Sequence, residues 1–343
     1  MASRSHLIFA LVGALLLSGC AVDDRDMVTD ADASFSKKDC PFPGHKKCPP
    51  PPPPPPPSGP VEPDFPGAAF DALKAPLRMA LTPAGRLLVS DARAKKIFTV
   101  DPVTRLPDGE VTIDGKPTAI AYLDDVVYVG NPSRSTIEKY DADGGGFAGD
   151  FGSGAVGHAM DMAVDGGAGL LFVVDGAAGN IKVFDSSGTL QNTISSRGPN
   201  PEQLTTPVGI AVNPEVSEIY VSDYGAGPYE SGEAFVRIFT YDGTFVEVIS
   251  GAGSCGMLGC SGGFSRPQGI GVSEDGRLFL ADALLASVLV FDRSTKKQTA
   301  TLGGRNAGIP ALRVPAGVVV SGSDVYVASS RTHSVEVFEG GAL

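Results

Sequence analysis

One unit recurs six times along this chain, and that recurrence constrains the fold more than any other feature. Each copy carries an apolar strand, a turn, a second alternating strand that closes on a small polar residue, and a loop. A third strand follows, ending in most copies on an aromatic and an acid. The clearest copy runs from Thr206 to Asp223, with strands at Gly209–Val212 and Ile219–Ser222, and continues into Phe235-Val-Arg-Ile-Phe-Thr240. Its siblings open at Pro76, Pro117, Ala159, Pro267 and Pro315. Their second strands close on Asp91, Asn131, Asp175, Asp282 and Ser329.

Alternation, β-branched content and turn clusters all indicate strands. Nothing between them has the length and period of a helix. Weaker fourth strands follow in most units, for example Phe245–Ile249 and Gln298–Leu302. Four-stranded antiparallel units repeated radially make a β-propeller, so the predicted fold is all-β with six blades. The sixth unit stops at Phe338-Glu339 without a fourth strand. Ala68–Leu73 is a strand-sized piece with no unit of its own, and it is expected to complete that blade and close the ring. Closure removes the exposed edges of an open circle.

The units resemble NHL repeats through Pro207-Val-Gly-Ile-Ala-Val, Ile219-Tyr-Val-Ser-Asp223 and Val183-Phe-Asp185. The resemblance covers residues 65–340 and speaks to fold more than to function. Some propellers of this type are metal-dependent lyases with several His around the channel. Related six-bladed lactonases hold a metal with Glu, Asn and Asp. Here the repeats contain only His158 and His333, a poor ligand set.

Ahead of the propeller the chain reads differently. Leu7–Leu17 is an apolar run of signal-peptide length after Arg4, closed by Leu17-Ser18-Gly19-Cys20. That sequence resembles the lipobox of bacterial lipoproteins, which implies cleavage before Cys20 and acylation of its thiol. Ala21, rather than Asp, follows and favours the outer membrane. Residues 1–19 are thus read as signal peptide and 20–60 as a tether, with the propeller over 61–343. Pro49–Pro57 is an unbroken proline run, a polyproline II rod of roughly 28 Å. Four further cysteines form two close pairs, Cys40/Cys48 and Cys255/Cys260. In an exported protein both are disulfide candidates. Metal binding is the competing reading, and neither pair has the spacing for it.

A net charge of −12 argues against nucleic acid as partner. Hydrophobic content of 42% and charged content of 19% exclude global disorder. The loops after the second strands and the connections between blades share one face. Unit four carries two insertions there, Tyr224–Ala234 and Gly251–Ser265. Clustered insertions on one face of a repeat array often mark binding, which makes Tyr224, Tyr229 and Glu230 ligand candidates. A channel-facing column reads Arg78, Ala119, Asp161, Gly209, Gly269, Gly317. Arg78 and Asp161 stand out, with His158 and Gln268 nearby. They either bind a polar ligand or form a structural ion pair. Arg93, Lys95, Lys96, Arg134 and Arg331 would give a basic arc on the same face, or an ordinary solvated surface. The recurring Asp residues fit a turn-capping role better than calcium.

The expected protein is a monomeric, lipid-anchored binding propeller without a cofactor, its partner a protein, peptide or glycan. A lyase or lactonase using Asp161, His158 and a metal at the channel mouth is the alternative.

Overall fold

A computed structural model of the chain describes residues 72–101, 104, 106–142, 145–224, 234–251, 254–256, 259–261, 263–304 and 312–340. Cys20, Cys40, Cys48, Tyr229, Glu230, the expected signal peptide and tether, and residues 68–71 of the expected closing strand lie outside them.

Blade one contains β1 (Pro76–Leu81), β2 (Leu87–Asp91), β3 (Lys96–Val100) and β4 (Pro107–Thr112). Blade two contains β5 (Ala119–Leu123), β6 (Val126–Asn131), β7 (Thr136–Asp141) and β8 (Phe147–Phe151). Blade three contains β9 (Ala159–Asp165), β10 (Leu170–Asp175), β11 (Asn180–Asp185) and β12 (Leu190–Ile194). Blade four contains β13 (Pro207–Asn213), β14 (Glu218–Asp223), β15 (Phe235–Thr240) and β16 (Phe245–Ser250). A short hairpin follows, β17 (Ser254–Gly256) and β18 (Gly259–Ser261). Blade five contains β19 (Pro267–Val272), β20 (Arg277–Asp282), β21 (Ser287–Asp292) and β22 (Gln298–Gly303), and blade six β23 (Pro315–Ser321), β24 (Asp324–Ser329) and β25 (Ser334–Phe338).

Every blade is an antiparallel meander in chain order, five of four strands and the sixth of three among the described residues. Each inner strand lies beside the inner strands of its two neighbours, and β23 lies beside β1, so the six blades form a ring. The sole described helical segment is one 3₁₀ turn at Gly152–Gly154.

Close approach at the axis explains the small residues of the channel column. A Cβ on Gly209 would sit 2.2 Å from the Gln268 carbonyl oxygen of the next inner strand. The core lies between blades. The residue three places before the inner strand is buried in five of the six copies: Leu73, Val156, Leu204, Phe264 and Leu312. Leu73 is 2% exposed and packs with Ala328 and Val335 of blade six as well as Met79 and Val89 of blade one. Burying such a side chain contributes roughly 1.5–3 kcal/mol.

Candidate functional site

The two faces of the disc are built differently. The turn face carries the hairpin turns between first and second strands and between third and fourth. The loop face carries the second-to-third loops and the connections between blades, and there the strand-closing carboxylates act. Asp282 is fully buried. Its Oδ2 accepts from the backbone N–H groups of Ser265 (2.6 Å) and Arg266 (2.9 Å), and its Oδ1 from Leu284 (2.8 Å) and Leu285 (2.9 Å). Asp91 and Asp175 likewise each accept four backbone N–H groups. One carboxylate thereby ties the incoming connection to the outgoing loop, which is the turn-capping role expected of these residues.

Blade four adds a buried cation to that scheme. Asp223 accepts from Thr205 and Thr206 N–H and pairs with Arg237 Nη1 at 2.6 Å, with both side chains at most 4% exposed. Arg237 Nε donates to the Pro201 carbonyl at 2.9 Å. Burial lowers the Arg237 pKa, and the Asp223 charge opposes that. This buried pair pins the connection before β13 beneath the point where the Tyr224–Ala234 insertion leaves.

In the channel, Arg78 and Asp161 meet. Arg78 Nε lies 3.3 Å from Asp161 Oδ1, the side chains 7% and 10% exposed. The guanidinium donates to the carbonyls of Met160 (3.3 Å), Val208 (2.5 Å) and Ala316, on the inner strands of blades three, four and six. Asp161 accepts from Ile210 N–H at 3.2 Å and Met162 N–H at 3.0 Å. Inner strands expose unpaired backbone groups to the axis, and this pair satisfies several of them at once. Burial pushes the Asp161 carboxyl up, with Arg78 and the two amides pulling it back. Beyond the pair a cavity of about 290 Å³ runs toward the turn face, lined mainly by Met79, Leu81, Met162, Val164, Val212 and Val320.

The pair therefore has the geometry of a structural spoke. The guanidinium beside Asp161 competes with any cation for that carboxylate. His158 is held through its backbone, its N–H on Asp175 and its carbonyl accepting from Gly176. Its side chain makes no hydrogen bond or ion pair among the described residues, so the structure does not join it to Asp161. No group of three or more His, Cys, Asp or Glu among the described residues is arranged to hold a metal. Gln268 is half-buried, and its carbonyl accepts from Ser222 Oγ at 2.9 Å.

Tyr224 is brought toward the channel mouth. Its ring centroid lies 5.9 Å from the Arg266 guanidinium carbon. Burial raises its phenol pKa, against a hydrogen bond from Arg266 and the charges of Arg266 and Arg78. The basic arc is partly neutralised, because Lys96 pairs with Glu110 and Arg134 pairs with Glu138 and, at 3.5 Å, with Asp150.

Sequence reasoning passed over Leu284 and Leu285, 53% and 39% exposed in the loop after β20. The signal was available. Matching positions after the closing residue carry Arg93-Ala94, Ala177-Ala178 and Arg331-Thr332 in other blades, and only blade five places two large apolar side chains there. The β17–β18 hairpin in the connection before β19 sets Cys255 opposite Cys260 in the backbone register.

No protein-family model and no curated protein matches the chain. Solved structures do. The chain is similar to one from a nidogen/laminin complex, with TM-score 0.59 and 19% identity over 74% of this chain and 89% of that one. It is similar to Kuenenia stuttgartiensis hydrazine synthase, with TM-score 0.58 and 14% identity over 79% and 97%. A Bacteroides thetaiotaomicron protein of unknown function gives TM-score 0.59 and 17% identity over 78% and 70%. These likenesses show the fold, a six-bladed propeller.

Proposed function

We propose that the chain is an NHL-type binding scaffold, anchored outside the cytoplasm by a lipid on Cys20, whose loop face over blades four and five takes a protein partner. The exposed pair Leu284–Leu285 carries this reading. Asp282 fixes both backbone amides, so the two side chains are presented on a rigid turn. Contiguous exposed apolar surface rimmed by polar groups marks interaction sites, and the anchors of such sites are most often Tyr, Trp and Arg, here Tyr224 and Arg266. Arg266 adjoins this loop, its carbonyl accepting from the Ala283 N–H, and Tyr224 lies against Arg266. A chain of the same architecture occurs in a nidogen/laminin complex, so such a propeller takes part in a protein assembly there.

Exposure to an oxidising compartment would join Cys255 to Cys260. Opposed residues of an antiparallel pair have Cα atoms about 4.5–5.5 Å apart, within the span a disulfide needs. Crosslinking in cells tests the reading. A Leu284→Asp/Leu285→Asp protein is expected to lose its crosslinked adducts while melting like the wild type, and an unchanged adduct pattern refutes the patch. Anchoring is tested separately: Cys20→Ser is expected to move the protein from the membrane to the soluble fraction.

A further inference from the structure

On the turn face, the interface between blades one and two holds a cavity of about 360 Å³, within the size range of small-molecule sites. Its origin shows in a comparison of blades. Three positions before the residue that closes the second strand, blades two to six carry Tyr128, Phe172, Tyr220, Phe279 and Tyr326, and blade one carries Leu88. Tyr128, Phe172, Tyr220 and Phe279 are at most 2% exposed and fill the gap to the next blade.

The interface of blades four and five shows what occupies the equivalent space. There Arg293 lies over the Tyr220 ring, 5.9 Å from its centroid, and is held by Glu218 at 2.8 Å and by Glu247. Between blades one and two, Leu88 stands for Tyr220, Ala142 for Arg293 and Gly109 for Glu247. The match is structural as well as sequential: Ala142 N–H bonds the Asp125 carbonyl as Arg293 N–H bonds that of Gly276. A ring and a cation are therefore both missing from a slot that keeps apolar walls from Leu88, Val127 and Tyr140.

The rim supplies charge. Arg86 is paired with Asp108, and Lys96 with Glu110. Asp141 has no side-chain hydrogen bond or ion pair among the described residues, whereas its counterparts Asp185 and Asp292 cap their own turns. We propose that this cavity is a binding site for a small aromatic cation, one ring bearing an amine or amidine. Its ring takes the place of the missing aromatic against Leu88 and Tyr140, and its positive group meets Asp141.

Benzamidine is the probe, with neutral benzamide as its isostere, titrated into the purified full chain by ligand-observed NMR. Benzamidine is expected to bind saturably and up to about fivefold tighter than benzamide, the scale of one ion pair at an exposed carboxylate. Leu88→Tyr restores the sibling ring and is expected to abolish binding. Gly109→Leu is a second filling variant, because a Cβ there meets nothing closer than Thr99 at 3.6 Å. Asp141→Asn is expected to bring the two probes to equal affinity. Absence of saturable benzamidine binding, or binding that survives both filling variants, overturns the site. Since the slot lies on the face opposite Leu284–Leu285, neither result bears on the partner patch.

Discussion

Arg78 and Asp161 meet at 3.3 Å in the channel, and each also binds backbone groups of blades other than its own. The arginine of blade one reaches carbonyls in blades three, four and six. A propeller has no hydrophobic core at its axis, so its inner strands need another tie. Here a single cation and its carboxylate supply one.

Breaking this pair from one side leaves a buried charge. Arg78→Met is therefore expected to destabilise the domain by about 3–5 kcal/mol in urea denaturation. Arg78→Met/Asp161→Leu should recover part of that loss, because no charge remains buried. The sign of the pH effect follows from the direction of the Asp161 shift. A carboxyl raised on folding contributes stability below its unfolded pKa and loses it as pH rises through the folded value. Removing Arg78 raises it further, so the single variant's deficit should shrink as pH falls from 7 toward 5. A deficit under about 1 kcal/mol, the scale of an exposed ion pair, would mean that the spoke carries no stability.

Asp282→Ala strands four backbone N–H groups at once. Each unsatisfied buried donor costs about 1–3 kcal/mol, and water will reach those nearest the surface, so a loss of at least about 3 kcal/mol is expected. The same change also frees Leu284 and Leu285, so partner crosslinking should weaken below the melting transition. Calorimetry and crosslinking at 25 °C separate the two effects.

Much of this was readable from residues. Six units, their strand limits and the capping role of the Asp column follow from periodicity, because every blade solves the same packing problem with the same residue types. The Arg78–Asp161 pair was visible as the exception in a small-residue column. Its binding to three inner strands was not, since that depends on how closely the strands approach at the axis. Leu88 and Ala142 look like ordinary members of their columns until the Tyr220–Arg293 arrangement shows what they omit. The β17–β18 hairpin escaped notice because three-residue strands with glycines carry no alternation signal.

Leu73 tests ring closure without deleting any chain. It is buried between blade six and blade one, where Leu204 and Leu312 serve the same role at their own interfaces. Leu73→Ala is expected to cost about 2–5 kcal/mol, comparable to Leu312→Ala, with one cooperative transition by both circular dichroism and fluorescence. A much smaller cost for Leu73 alone would show that the interface between first and last blades adds little to the fold.

The turns between third and fourth strands contribute to the response to acid. Asp292 is pulled down to about 2, chiefly by the Thr295 hydroxyl and then by the Thr295 N–H and the Ser294 hydroxyl. Asp185 and Asp242 are lowered in the same way by Ser187 and Thr240. A carboxyl depressed on folding contributes stability above its unfolded pKa of about 3.9, and that contribution is lost as pH falls toward the folded value. The melting temperature should therefore drop between pH 4 and about 2, beyond any change between pH 7 and 5. Thr295→Val removes the largest cause, so the Asp292 carboxyl should titrate closer to 3.9 by carbon-detected NMR. Asp185, in a different blade, should titrate as before; a shift at both sites would mean that the turns do not act locally.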